Sequence, residues 1–151
     1  MFVPTHFSLP VIAAEAVNIF SGKKYKKLLF NKIQILIIGI CGVLPDLIDP
    51  HLLLEARYTS WTHTIWFFLG FIIMTAPFLL KRKSLIVMCW AAVGLHLLCD
   101  MVSGGIVLFY PWGKSIGFYF FSPVYWLLLD AATITIGVSI YWLVHYKFSR
   151  T

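Results

Sequence analysis

His96 and Asp100 stand four residues apart in an apolar stretch, so at 3.6 residues per turn both project from one helix face, one above the other. An Asp at the centre of a bilayer costs about 2.5–3.5 kcal/mol, so an ionisable residue in such a segment is a functional candidate that needs a partner. One reading is a His–Asp hydrogen bond that closes a helix contact. The other is chemistry: neutral imidazoles and carboxylates are ligands for zinc, iron or manganese, and a catalytic site needs about three of them with one position left for water. His6, Asp46, Asp49 and His63 extend the candidate set to six residues, enough for one or two ions. A bound ion would lower the pKa of its water and polarise a phosphoryl or carbonyl oxygen without a Ser or Cys nucleophile. No Gly-x-Ser-x-Gly, phosphate-binding loop or dinucleotide fingerprint competes with this reading.

The elements that must position these residues are apolar. Of 151 residues, 60% are hydrophobic and only 12% charged, which points to a multi-pass membrane protein rather than a soluble domain. The first basic residue is Lys23, so the early apolar segment lacks the basic start of a cleavable signal and is expected to remain in the mature protein. Cys41, Cys89 and Cys99 lie within apolar segments without Cys-x-x-Cys spacing and imply neither disulfides nor a thiolate metal site. The net charge of +6 fits anionic lipid beside apolar segments, and no nucleic-acid partner is expected.

Five runs follow in order. Residues 5–21 suggest a helix with Pro10 in its first turn and Gly22 as its stop. Residues 28–44 form a second run, short for a full span, which Pro45 and Pro50 end in a turn or broken helix carrying Asp46 and Asp49. The third run, 61–80, takes Thr59 or Ser60 as cap and holds His63 in its first turn; the fourth, 85–102, carries His96 and Asp100 and stops at Gly104-Gly105. Ser122-Pro123 opens the fifth, through about His145. The expected fold is all-α: a multi-pass helical membrane protein of four to five apolar helices with short loops, one domain over residues 1–151.

Loop charge orients it. Lys23, Lys24, Lys26, Lys27, Lys32, Lys81, Arg82, Lys83, Lys147 and Arg150 fall on one side if every run crosses, and only Arg57 and Lys114 on the other. The positive-inside rule then puts the C-terminus in the cytoplasm and the N-terminus outside. His6, Asp46, Asp49 and His63 fall at the outer end, and His96 and Asp100 lie about 17 and 22 Å up the fourth run from its basic end. The lysines and the His and Asp residues therefore give independent readings that agree on one outward-facing site. His51 reads as a solvated loop residue and His145 as an interface residue on the cytoplasmic side. Asp130 suits either support of a ligand His or an interhelical hydrogen bond. Trp61, Trp66, Trp112, Tyr119, Tyr125 and Trp126 suit an outer aromatic belt, and residues 118–121 could line a lipid entrance.

Taken in order, Thr5-His6, Gly42-Val43-Leu44-Pro45-Asp46-Leu47-Ile48-Asp49, Thr62-His63-Thr64, His96-Leu97-Leu98-Cys99-Asp100, Ser103-Gly104-Gly105 and Tyr110-Pro111 resemble the YdjM-like family. That family is described as LexA-binding, inner-membrane-associated proteins assigned to metal-dependent hydrolysis. Two departures stand out. Two residues separate Asp46 from Asp49 where the family often has Pro-Asp-x-Asp, which leaves open which Asp is the main ligand. The position four residues before His63, commonly Arg, is Thr59, and Arg57 lies two residues earlier as a candidate phosphate clamp. A looser resemblance to zinc-dependent phospholipase C and the related single-strand nucleases implies that Asp46 or Asp49, His63, His96 and Asp100 hold one metal, with His6 and Asp100 contributing to a second. No counterpart of that fold's further His and Glu ligands is found.

The expected activity is hydrolysis of a phosphoester at the outer face of the cell's inner membrane, on a phospholipid or other amphiphilic phosphate. Zinc is the first choice of metal, with manganese or iron as alternatives, and Asp100, Asp49 and Arg57 are the candidate catalytic residues. The competing class is non-enzymatic: a metal or proton transporter, or a partner-binding scaffold. A transporter should carry polar residues into the cytoplasmic half, where the sequence offers few.

Overall fold

The computed structural model describes residues 3–25, 27–50, 57–117 and 123–148. Its α-helices are α1 (Val3–Tyr25), α2 (Lys32–Ile48), α3 (Ile65–Thr75), α4 (Leu79–Val102) and α5 (Pro123–Phe148), with short 3-10 turns at Trp61–His63 and Ala76–Phe78. Among the described residues there is no strand, only one isolated bridge between Ile106 and Ile116. His51, residues 118–121 and Ser122 lie outside the described residues.

Two stretches, Ile65–Val102 and Val124–Tyr146, are long and apolar enough to cross a membrane. The first is not one straight rod. Arg82 leaves helical geometry at φ −147° and ψ 52°. Beyond it the Trp90 indole donates to Thr75 Oγ1 at 2.7 Å, and Gly94 lies against the Phe68 ring. The chain therefore folds back antiparallel at Lys81-Arg82-Lys83.

Side-chain bonds give the other helix directions. The Asn18 side chain bonds both backbone groups of Phe30, while the His6 carbonyl faces Gly42, so α1 and α2 run antiparallel. Thr5 donates to Asp130 and Glu15 pairs with His145, so α1 and α5 run parallel. The start of α1, the ends of α2 and α4 and the starts of α3 and α5 thus gather at one end of the bundle. Lys23, Lys27, Lys32, Lys81, Arg82 and Lys83 belong to the other end, the segregation expected from the order of charges. Between the ends lies an apolar core of Val11, Ala14, Phe30, Ile35, Ile38, Leu85, Cys89 and Ala92, from α1, α2, α4 and the approach to α2.

Several local expectations are corrected. α2 begins at Lys32 rather than 28, because the Asn31 carbonyl side chain caps the Gln34 N–H at 3.0 Å and Gln34 answers the Asn31 N–H at 2.9 Å. It also runs through Pro45 to Ile48, since a helical proline costs one hydrogen bond without forcing the chain out of helix, and Asp46 therefore stands on its last turn. Pro10 lies inside α1, not in its first turn, and Gly22 does not stop it. The cap of α3 is Thr64, which accepts from the Phe67 N–H at 3.3 Å; His63 sits ahead of the helix in the 3-10 turn. Gly104 and Gly105, at φ 140° and 93°, end α4 as expected.

Candidate metal centre

Three segments bring four ligand atoms together. His63 Nε2 lies 3.2 Å from Asp46 Oδ1 and 3.2 Å from Asp100 Oδ2. His96 Nε2 lies 3.1 Å from His63 Nε2, 3.3 Å from Asp100 Oδ2 and 3.8 Å from Asp46 Oδ1. All four atoms fall within 4.8 Å of one another. Metal–ligand bonds of about 2.0–2.1 Å place tetrahedral ligand atoms roughly 3.3 Å apart, so most of these spacings are close to what a small metal ion would need.

The outer bonds of the imidazoles explain why these atoms face inward. His96 Nδ1–H donates to the Gly42 carbonyl at 2.8 Å, leaving Nε2 as the lone-pair nitrogen. Ser60 donates to Asp49 Oδ2 at 2.7 Å, so its oxygen is an acceptor for His63 Nδ1–H at 2.9 Å, and that ring too presents Nε2. Two imidazole lone pairs and two carboxylate oxygens then meet with no proton between them, an arrangement that a cation relieves. Without one, a proton can take the place. Burial opposes charging of His63, which precedes the apolar stretch starting at Ile65, but hydrogen bonds and charge from Asp100 and Asp46 outweigh it and raise its pKa above the ordinary imidazole value.

Gly42 makes the packing possible. Pro10 has no N–H for the His6 carbonyl one turn earlier, and that carbonyl is turned against Gly42, where a β-carbon would come within 2.2 Å of it. α1, α2 and α4 therefore meet at a residue without a side chain.

The six candidate ligands separate into tiers. Asp46, His63, His96 and Asp100 form the cluster. Asp49 acts one residue removed, through Ser60, which answers the question between the two aspartates geometrically: Asp46 faces the cluster. His6 Nε2 approaches the other oxygen of Asp100, Oδ1, at 3.1 Å, with its ring centroid 4.0 Å from that of His96. Both His6 ring nitrogens are buried without hydrogen-bond geometry to any partner among the described residues. Arg57, the candidate phosphate clamp, is buried, and its Nη1 contacts Asp100 Oδ1 at 2.9 Å and Ser103 Oγ at 3.3 Å, so it pairs with a candidate ligand carboxylate. His63, His96 and Asp100 side chains are fully buried; Asp46, 12% exposed, is the rim.

Other candidates play different parts. Asp130 accepts from Thr5, the interhelical alternative. His145 Nε2 lies 3.0 Å from Glu15 Oε1, and Glu15 Oε2 accepts from Asn18 at 3.0 Å, a second buried polar cluster at the basic end. Glu15 and Asn18 have no place in the site expected from the sequence, Gly42 enters only as part of a family block, and Ser60 only as a helix cap. Signals existed: Glu15 is an acid inside an apolar run, and Asn18 stands three residues on, on the same face. An apolar cavity of about 620 Å³ lies between α1, α2 and α5, but its α1 residues, Pro4, Phe7, Ser8 and Val11, share the helix face opposite His6, so it is no part of the cluster.

No curated protein and no solved structure matches the chain. A family model described as YdjM inner membrane protein matches residues 1–149, nearly the whole sequence, and includes every segment that builds the cluster. With the Asp46, His63 and His96-Asp100 blocks in that order, the chain belongs to the YdjM inner membrane protein family.

Proposed function

We propose that this protein is a multi-pass, membrane-embedded metal-dependent hydrolase acting on a phosphoester of an amphiphile, with its site toward the outer face and its C-terminus in the cytoplasm. The observation that carries the reading is the convergence of two imidazole nitrogens and two carboxylate oxygens, each imidazole held by an outer hydrogen bond. Two imidazoles and two carboxylates suit zinc first, and manganese or iron next. When bound, a divalent ion supplies an activated water and polarises a phosphoryl oxygen.

The protein's own groups have separable tasks. Gly42 and Ser60 hold the two imidazoles, and Arg57 holds Asp100. Asp46, whose side chain is 12% exposed, is where this reading lets water and substrate in, and the residues that follow it, Leu47 and Ile48, are 60% and 48% exposed. An apolar lip beside the accessible ligand favours an amphiphile over a soluble phosphate. Of the expected aromatic belt, Trp61, Trp66, Trp112 and Tyr125 are exposed on segments at this end, whereas Trp126 is buried and Tyr119 lies outside the described residues.

A transporter is the competing reading, and Glu15, Asn18 and His145 give it polar groups in the basic half that the sequence reading undercounted. The core between them and the metal cluster argues against it. Among the described residues, Val11, Ala14, Ile38, Ala92 and Val93 between them are buried and apolar, and only small side chains such as Ser8 and Cys89 interrupt this layer. Purified protein, resupplied with zinc, is expected to retain metal, and His96→Ala to lose it; equal, metal-free preparations of both would remove the ligand assignment. Zinc flux into proteoliposomes would favour the transporter.

A further inference from the structure

Resting on the metal reading above, we infer that Arg57 occupies the position of a second cation on Asp100, so that the centre binds one ion and not two. Asp100 divides its two oxygens. Oδ2 faces the ligand nitrogens of His63 and His96 at 3.2 and 3.3 Å. Oδ1 faces His6 Nε2 at 3.1 Å and Arg57 Nη1 at 2.9 Å. A carboxylate that bridged two ions would give one oxygen to each, and on this protein the second oxygen already has a cation against it.

That cation is fixed in both charge and place. A guanidinium does not deprotonate in a protein. Arg57 is buried and anchored to Ser103 Oγ at 3.3 Å, and Tyr58, beside it in sequence, donates to the Gly104 carbonyl at 2.9 Å. The segment carrying Arg57 is thereby tied to the loop that leaves α4 just after Asp100. A divalent ion on Oδ1 would sit beside a permanent positive charge with little water to screen it.

His6 is the group that a second site would need. Its ring nitrogens are buried without hydrogen-bond geometry to any partner among the described residues, and Nε2 lies 3.1 Å from the oxygen that Arg57 shares. With Arg57 present, His6 is a neighbour of the centre and not a ligand. Replacing the guanidinium by a neutral side chain leaves an imidazole and a less compensated carboxylate oxygen side by side, two ligands for a second ion.

The test is metal stoichiometry of the full-length protein in detergent, by equilibrium dialysis against zinc followed by elemental analysis. Wild type, His6→Ala and Arg57→Lys are expected to saturate at about one equivalent. Arg57→Gln should take up a second, weaker equivalent, and Arg57→Gln with His6→Ala should return to one. Two equivalents in wild type that fall to one in His6→Ala would overturn the inference while leaving the metal centre standing. So would Arg57→Gln that stays at one. No zinc in any variant would overturn the metal centre itself and this inference with it. Should Arg57→Gln not fold, the wild-type and His6→Ala stoichiometries still decide between one ion and two.

Discussion

The Nδ1–H of His96 on α4 donates to the carbonyl oxygen of Gly42 on α2 at 2.8 Å, and the His6 carbonyl of α1 packs against the same glycine. One residue without a side chain thus sets the spacing of three helices and the tautomer of a candidate ligand. Gly42→Ala is expected to destabilise the protein by about 1–3 kcal/mol through overpacking and to weaken metal retention. Gly70→Ala on α3, where a β-carbon would meet nothing within 4 Å, is the control and should be neutral or slightly stabilising. Thermal unfolding in detergent compares them; equal melting of the two variants would contradict the role given to Gly42.

Ser60 transmits Asp49 to His63. Ser60→Ala removes the oxygen that accepts from His63 Nδ1 and should lower zinc affinity about 10- to 100-fold, as loss of such outer partners does elsewhere. Asp49→Asn keeps an acceptor for the Ser60 hydroxyl and should cost less. Competition with a chelator of known affinity reads both, and an unchanged affinity in Ser60→Ala would separate Asp49 from the centre.

Glu15 and His145 join α1 to α5 at the end remote from the cluster. Leaving the buried neighbours of Glu15 without their hydrogen-bond partner costs about 1–3 kcal/mol, so Glu15→Ala should lower thermal stability. Zinc bound per folded molecule should stay unchanged. Loss of metal in that variant would mean that the two polar clusters communicate through the apolar core.

Orientation is tested by labelling. With Cys41, Cys89 and Cys99 replaced by Ala, Lys114→Cys should react with an impermeant thiol reagent added outside intact cells, and Lys81→Cys should react only after permeabilisation. The opposite pattern would move the site to the cytoplasmic face.

Much of this was legible in the sequence because charge and chemistry segregate along it. The lysines between runs and the His and Asp residues at alternate run ends require opposite ends of a bundle, and the helix directions agree. The His96-Asp100 spacing puts two candidate ligands on one face directly. Local endings were harder to read, since Pro10 and Pro45 resemble helix boundaries while packing holds both inside helices. The separation of Asp46 from Asp49 depends on that continuation, which puts one on the last turn of α2 and the other at its cap. Gly42 stands in the family block ahead of Pro45-Asp46, but nothing in its residue type marks it as a packing point. Its importance comes from the close approach of α1, a tertiary fact.

Asp100 is the residue on which the account converges, touching His63, His96, His6 and Arg57 through its two oxygens. Asp100→Asn keeps its shape and some hydrogen bonding but removes the charge. The most direct measurement is hydrolysis of a panel of phospholipids and isoprenoid phosphates by wild type and Asp100→Asn, with added zinc or manganese. Wild type is expected to turn over at least one amphiphilic phosphoester in a metal-dependent way, and the variant to fall by a few orders of magnitude, each tenfold being about 1.4 kcal/mol of transition-state stabilisation. No metal-dependent turnover by wild type, or turnover undiminished in Asp100→Asn, would contradict a hydrolase centred on this cluster.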